Sequence, residues 1–71
     1  MWTPNSIRAL PNIDLKFLAG DMANAKSHGM NPYGDEAVAA AYDECEKRGI
    51  NTIVDDGLRR WPISSLAPVN R

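Results

Sequence analysis

The chain is poor in the residues that staple or arm a small protein. It has a single cysteine, Cys45, so no intrachain disulfide can form. It has a single histidine, His28. A zinc site takes about four Cys, His or acidic ligands, and one of each soft ligand makes a poor start on it. No metal and no cofactor are expected. No apolar run approaches the roughly 20 residues that span a bilayer, and no basic stretch leads into an apolar one as a signal peptide requires. A lone, buried thiol fits a reducing compartment, so the expected location is cytoplasmic, with no membrane partner. Excess charge is also lacking. Eight basic residues stand against nine acidic ones, for a net charge of −1. That balance provides no overall electrostatic drive for non-specific nucleic-acid binding.

What is present describes a small globular domain. The 71 residues are 44% apolar, an ordinary share for a folded chain, and they are enough for one domain over residues 1–71. A chain this short buries a small part of its surface and is marginal alone. Without a disulfide or a metal, a partner is the expected source of added stability.

Glycines punctuate the middle of the sequence. Asn12 can cap a first main helix, over about residues 13–28. Ile13, Phe17 and Gly20 share one of its faces, with Leu15, Leu18, Met22 and Ala25 beside it. Asp14 near the start and Lys26 and His28 near the end match the helix dipole. Gly29 fits the left-handed stop, with Met30 as the apolar contact after it. A second helix, over about residues 35–48, is capped by Gly34 or Asp35 and carries an apolar stripe of Val38, Ala41, Tyr42 and Cys45. Asp43 with Lys47, and Glu44 with Arg48, are i,i+4 pairs worth roughly 0.2–0.5 kcal/mol each. Their spacing puts the carboxylates of this helix on a solvated face. Gly49-Ile50 repeats the stop. Between the helices, Pro32 stiffens the turn Asn31-Pro32-Tyr33-Gly34 and biases Asn31 away from helix.

The flanks are harder to read. Residues 1–11 are expected to be irregular, with Thr3-Pro4 as a cap and proline start and one or two helical turns across Asn5 to Leu10. In residues 51–61, the Thr52-Ile53-Val54 run with Asp56-Gly57 suits a hairpin. Asn51 as a cap, Asp55 and Asp56 placed i,i+4 from Arg59 and Arg60, and Pro62 as a stop favour a short third helix instead. In that helix Ile53, Leu58 and Trp61, with Val54, would face the core. Residues 62–71 read as an irregular, extended tail. The expected fold is therefore all-α: a helical hairpin, a third helix and irregular ends.

No constellation here supports catalysis. Cys45 lies on a buried stripe and His28 at the far end of the other helix, without an orienting acid or oxyanion donors. The expectation is no enzymatic activity. The Arg59-Arg60 pair beside Trp61 could stack on and clamp a nucleic-acid strand, but two acids one turn earlier cancel its charge. Tyr33, on the stiffened turn, serves either as a ring packed over the hairpin or as an aromatic contact for a partner. The candidate contact set is Trp2, Asn31, Tyr33, Asp35, Glu36, Asp43, Arg59 and Arg60.

Phe17-x-x-Gly20-x-x-Ala23, then Asn31-Pro32-Tyr33, then Ala41-Tyr42 resembles the ribosome modulation factor family with its CrpP-like phage and plasmid relatives. Those proteins show an aromatic-x-x-Gly-x-x-Ala start, an Asn-Pro-Tyr or Cys-Pro-Tyr centre and an Ala-Trp-x-x-Gly-aromatic finish, whose last position is Glu46 here. Tyr42 stands for the tryptophan and Cys45 for the glycine. The similarity covers residues 16–49. It implies a two-helix hairpin with Phe17, Tyr33 and Tyr42 clustered, and a ribosome- or RNA-associated role. Size and near-neutral charge point first to a non-enzymatic binding protein, of the kind a phage encodes, that inhibits or modulates a larger host protein or complex. The ribosome is the alternative partner, and a homodimer is compatible with both.

Overall fold

The computed structural model describes residues 2–67. Three helices, α1 (Pro4–Arg8), α2 (Asn12–Ser27) and α3 (Asp35–Lys47), are followed by strands β1 (Thr52–Val54) and β2 (Arg60–Pro62) and a 3-10 helix (Ile63–Leu66). The all-α expectation is overturned by this two-stranded antiparallel sheet. The helix expected over residues 51–61 does not form.

Local chemistry sets the helix ends. At α1, the Thr3 hydroxyl accepts the Ser6 N–H and the Ser6 hydroxyl accepts the Thr3 N–H, with Pro4 at the first helical position. Where an irregular segment was expected, Thr3 to Ala9 form a capped helical turn whose Ile7 is fully buried. Asn12 does not cap α2; Pro11 occupies that position and Asn12 opens the helix. At the other end, Gly29 adopts φ +75°. The Met30 N–H donates to the Ala25 carbonyl and the Gly29 N–H to the Lys26 carbonyl, each at 2.9 Å. Gly49 repeats this at α3, with Ile50 N–H on the Cys45 carbonyl at 2.9 Å. This is the paired-bond stop that glycine favours in the left-handed region. The apolar residue after each glycine behaves differently, because Ile50 is buried whereas Met30 is exposed.

The core joins all the elements. α1 packs mainly on α3, while α2 packs on β1 and α3, with the 3-10 helix against both α2 and α3. α2 therefore buries residues around much of its girth: Leu15, Leu18, Ala19, Met22 and Ala23, with Gly20. Ile13, expected on the buried face, is exposed. α3 buries Ala37, Val38, Ala41 and Cys45, and Tyr42 packs partly buried against the core.

β1 and β2 pair in the register Thr52↔Pro62, Ile53↔Trp61 and Val54↔Arg60. A two-stranded ribbon this short is not stable by itself. It is held by Ile53, fully buried, and by a close approach to α2. A Cβ on Gly20 would lie 2.0 Å from the Val54 carbonyl oxygen and 2.6 Å from the Asp55 nitrogen. Only glycine lets the strand backbone reach the helix there. Leu58, expected in the core, is exposed at the loop tip with φ +63°. Of the tail expected to be irregular and extended, Pro62 closes β2, Ile63–Leu66 is helical and Ala67 is extended, while 68–71 lie outside the described residues. No helix among the described residues is long and apolar enough to cross a membrane.

Candidate functional site

The turn between α2 and α3 is organised by Asn31. Its side-chain oxygen accepts the Gly34 N–H at 3.1 Å and its amide donates to Asp35 Oδ1 at 2.6 Å. Gly34, at φ +91°, then opens α3. Asp35 and Glu36 fall in the first turn, both exposed, where acids complement the helix dipole.

Trp2 folds onto this turn. Trp2, Pro32, Tyr33, Asp35, Glu36 and Ala37 wall an open groove of about 400 Å³. The groove is more apolar than polar in its lining, and no cationic side chain lines it among the described residues. Trp2 is 38% exposed, an uncommon state for the largest apolar side chain. Tyr33 is half-buried and packs one side against the core. Its phenol is pushed above its ordinary value by burial first, then by the nearby negative charges of Asp21 and Asp56. The Asp56 N–H donates to Asp21 Oδ1 at 3.1 Å. Asp21 is itself pushed up by burial and by the charges of Asp55 and Asp56, against the lowering effect of that backbone bond.

Of the eight residues in the contact set, Trp2, Tyr33, Asp35 and Glu36 meet at this groove, and Asn31 shapes it. Asp43 lies elsewhere, on a second open cleft between α1 and α3 that it shares with Pro4, Arg8 and Lys47. Glu36 borders both clefts. Arg59 and Arg60 sit on the hairpin. Arg59 Nε donates to Asp55 Oδ2 at 3.1 Å, its guanidinium lies 5.5 Å from the Trp61 ring centroid, and it also donates to Asn24 Oδ1. Its contacts are thus internal, and it braces the hairpin against α2. Arg60 is exposed opposite Val54.

Asp55 is the pivot of this bracing. It is 1% exposed and accepts the Arg59 backbone N–H, Arg59 Nε and Trp61 Nε1, each at 3.0–3.1 Å. The indole N–H foremost, then the Arg59 backbone N–H and guanidinium, hold its carboxyl below the usual range despite burial. The i,i+4 spacing of Asp55 and Arg59 that suggested a helix closes a loop instead.

A second polar cluster escaped the sequence reading. Glu44, placed on the solvated face, is nearly buried. Arg48 Nε donates to it at 2.9 Å, while the two Nη atoms reach the carbonyls of Leu10 (2.7 Å) and Arg8 (3.0 Å) and Asn12 Oδ1 (2.9 Å). One guanidinium so ties α3 to the α1–α2 connection. Lys47 lies 4.0 Å from Glu44 rather than pairing with Asp43. Cys45 is fully buried, and that burial pushes its thiol up, partly offset by Arg48. His28 Nδ1 lies 2.9 Å from the Asn24 carbonyl. Among the described residues no cluster of His, Cys, Asp or Glu could hold a metal ion.

Pro32, Gly34 and Ala37 also line the groove. Pro32 and Gly34 belong to the turn the sequence marks, whereas Ala37 looks like any helix-filling alanine.

No family model, no curated protein and no solved structure matches this chain.

Proposed function

We propose that the chain is a small, non-enzymatic cytoplasmic binding protein that docks on a larger protein or complex through the Trp2–Tyr33 groove and so inhibits or modulates it. The observation that carries this reading is the meeting of Trp2 with the Asn31-Pro32-Tyr33 turn. Residues about thirty positions apart in the chain place two aromatic rings and two exposed carboxylates around one apolar groove. Half-exposed aromatic anchors within a polar rim are the usual makings of a protein interface. The ribosome-associated alternative leans on the hairpin arginines, and the engagement of Arg59 with Asp55 and Asn24 favours the groove over it.

The test is affinity purification of the tagged chain from its native host, with and without nuclease, comparing wild type with Trp2→Ala. The reading expects a nuclease-resistant, stoichiometric protein partner whose recovery falls at least about tenfold in the variant, the scale of an aromatic hot spot. Co-sedimentation with ribosomes that fades with rising salt would move the assignment to the alternative. A partner retained equally by Trp2→Ala would remove the groove from the account.

A further inference from the structure

We infer that the groove receives a basic segment of the partner, an arginine or lysine whose aliphatic stem lies along the Trp2 and Tyr33 rings and whose charged head meets Asp35 and Glu36. This rests on the docking function proposed above and specifies the chemistry of what docks.

The lining carries the argument. An apolar groove with aromatic walls suits a long side chain with an apolar stem, because such residues lay their methylenes on apolar surface and keep the head in a polar setting. The faces of indole and phenol rings attract cations through their quadrupole. Asp35 and Glu36 add two carboxylates at the groove's edge. Asn31 engages only one oxygen of Asp35, leaving the other to accept. Glu36 has no hydrogen bond or ion pair among the described residues. The field behind the groove has the same sign, since Asp21 and Asp56 act on Tyr33. Among the described residues no lysine or arginine lines the groove to neutralise it. An acidic segment entering there would meet like charge from the groove's edge and from behind it, whereas a basic one is complementary to both.

The probe is a hexa-arginine peptide, with hexa-glutamate as its counterpart, titrated into the isotope-labelled chain. Binding is read by NMR at the Trp2 indole N–H, which Trp2→Phe assigns against Trp61. The expected result is saturable movement of the Trp2 indole and the Gly34 amide with hexa-arginine, weakening as salt rises, and no movement with hexa-glutamate. Asp35→Asn/Glu36→Gln should weaken binding at least about tenfold, the effect of losing two charge-assisted contacts. Glu36→Gln alone, which keeps the Asn31–Asp35 bond, should weaken it in part. Asp14→Asn/Glu46→Gln removes the same net charge away from the groove and should leave binding within about twofold, as expected for screened remote charges. Equal loss in both double variants, or shifts confined to residues outside the groove, would overturn the inference. If the native partner depends on Trp2 but is retained by Asp35→Asn/Glu36→Gln, the docking function stands and its basic specificity falls. If no partner is recovered, the docking function itself falls.

Discussion

Alanine at position 20 probes the contact that decides this fold. In an isolated helix, Gly→Ala gains about 1 kcal/mol. Here the new methyl would sit 2.0 Å from the Val54 carbonyl oxygen and 2.1 Å from its carbon, where ordinary contact begins near 3.4 Å. The obstacle is backbone, so no rotamer change relieves it. α2 and β1 must part by more than 1 Å, and Ile53, fully buried next to that contact, loses packing with them. Overpacking of this kind costs about 1–3 kcal/mol, and an unyielding backbone puts it at the upper end. Subtracting the propensity gain leaves a net loss of about 2 kcal/mol. For a domain of this size that lowers Tm by roughly 8–16 °C, out of a total stability of about 4–10 kcal/mol. The assay is thermal and urea unfolding followed by circular dichroism, with Trp61 fluorescence reporting on the hairpin. Gly29→Ala is the comparison, since that site has open space and φ +75°, and only the backbone penalty of about 1 kcal/mol applies. A Gly20→Ala variant as stable as wild type, or more so, would refute the helix–strand contact and with it the packing of the hairpin.

Other outcomes follow from the polar clusters. Arg48→Ala strands the nearly buried Glu44 and frees the Arg8 and Leu10 carbonyls, so it should cost about 2–4 kcal/mol by urea unfolding. Arg48→Lys should recover only part of this, because an ammonium lacks the fork. Asp55 has a depressed carboxyl value, so its contribution is complete above the ordinary 3.8 and drains away as pH falls below it. Acid titration should therefore open the hairpin, seen as a red shift of Trp61 emission, and Asp55→Asn should show that shift already at neutral pH. Asp21 has the opposite sign: its value is raised above 3.8, so its ionised form opposes folding at neutral pH and the cost vanishes on acidification. Asp21→Asn, which still accepts the Asp56 N–H, should raise Tm at pH 7 and leave it unchanged at pH 3. Leu58→Asn relieves a left-handed backbone at an exposed site and should stabilise by about 0.5–1 kcal/mol.

Much of α2 and α3 was legible because their ends are governed by near neighbours. Gly29 and Gly49 sit at positive φ where a glycine followed by an apolar residue predicted a stop, and Asn31 and Pro32 predicted the turn between. In α3 the spacing placed Val38, Ala41 and Cys45 correctly, but the inward face runs through Ala37 and Glu44 and leaves Tyr42 at its edge. α2 was harder, because it packs on both a helix and a strand and its apolar residues spread around the axis. Residues 51–61 were locally ambiguous: β-branched residues argued for a strand, and the pairs Asp55–Arg59 and Asp56–Arg60 argued for a helix.

The amino-acid sequence by itself determined where α2 and α3 stop and how the central turn is stiffened, because each depends on residues within about one helical turn. Only the tertiary structure decided the rest. The gap that glycine leaves at position 20 admits Val54 and makes residues 52–62 a hairpin. The fork of Arg48 spans about forty positions to reach the α1 end, and the packing of α1 on α3 carries Trp2 to Tyr33. These contacts join segments distant in the chain, and no local pattern encodes a distance that only closing the core creates.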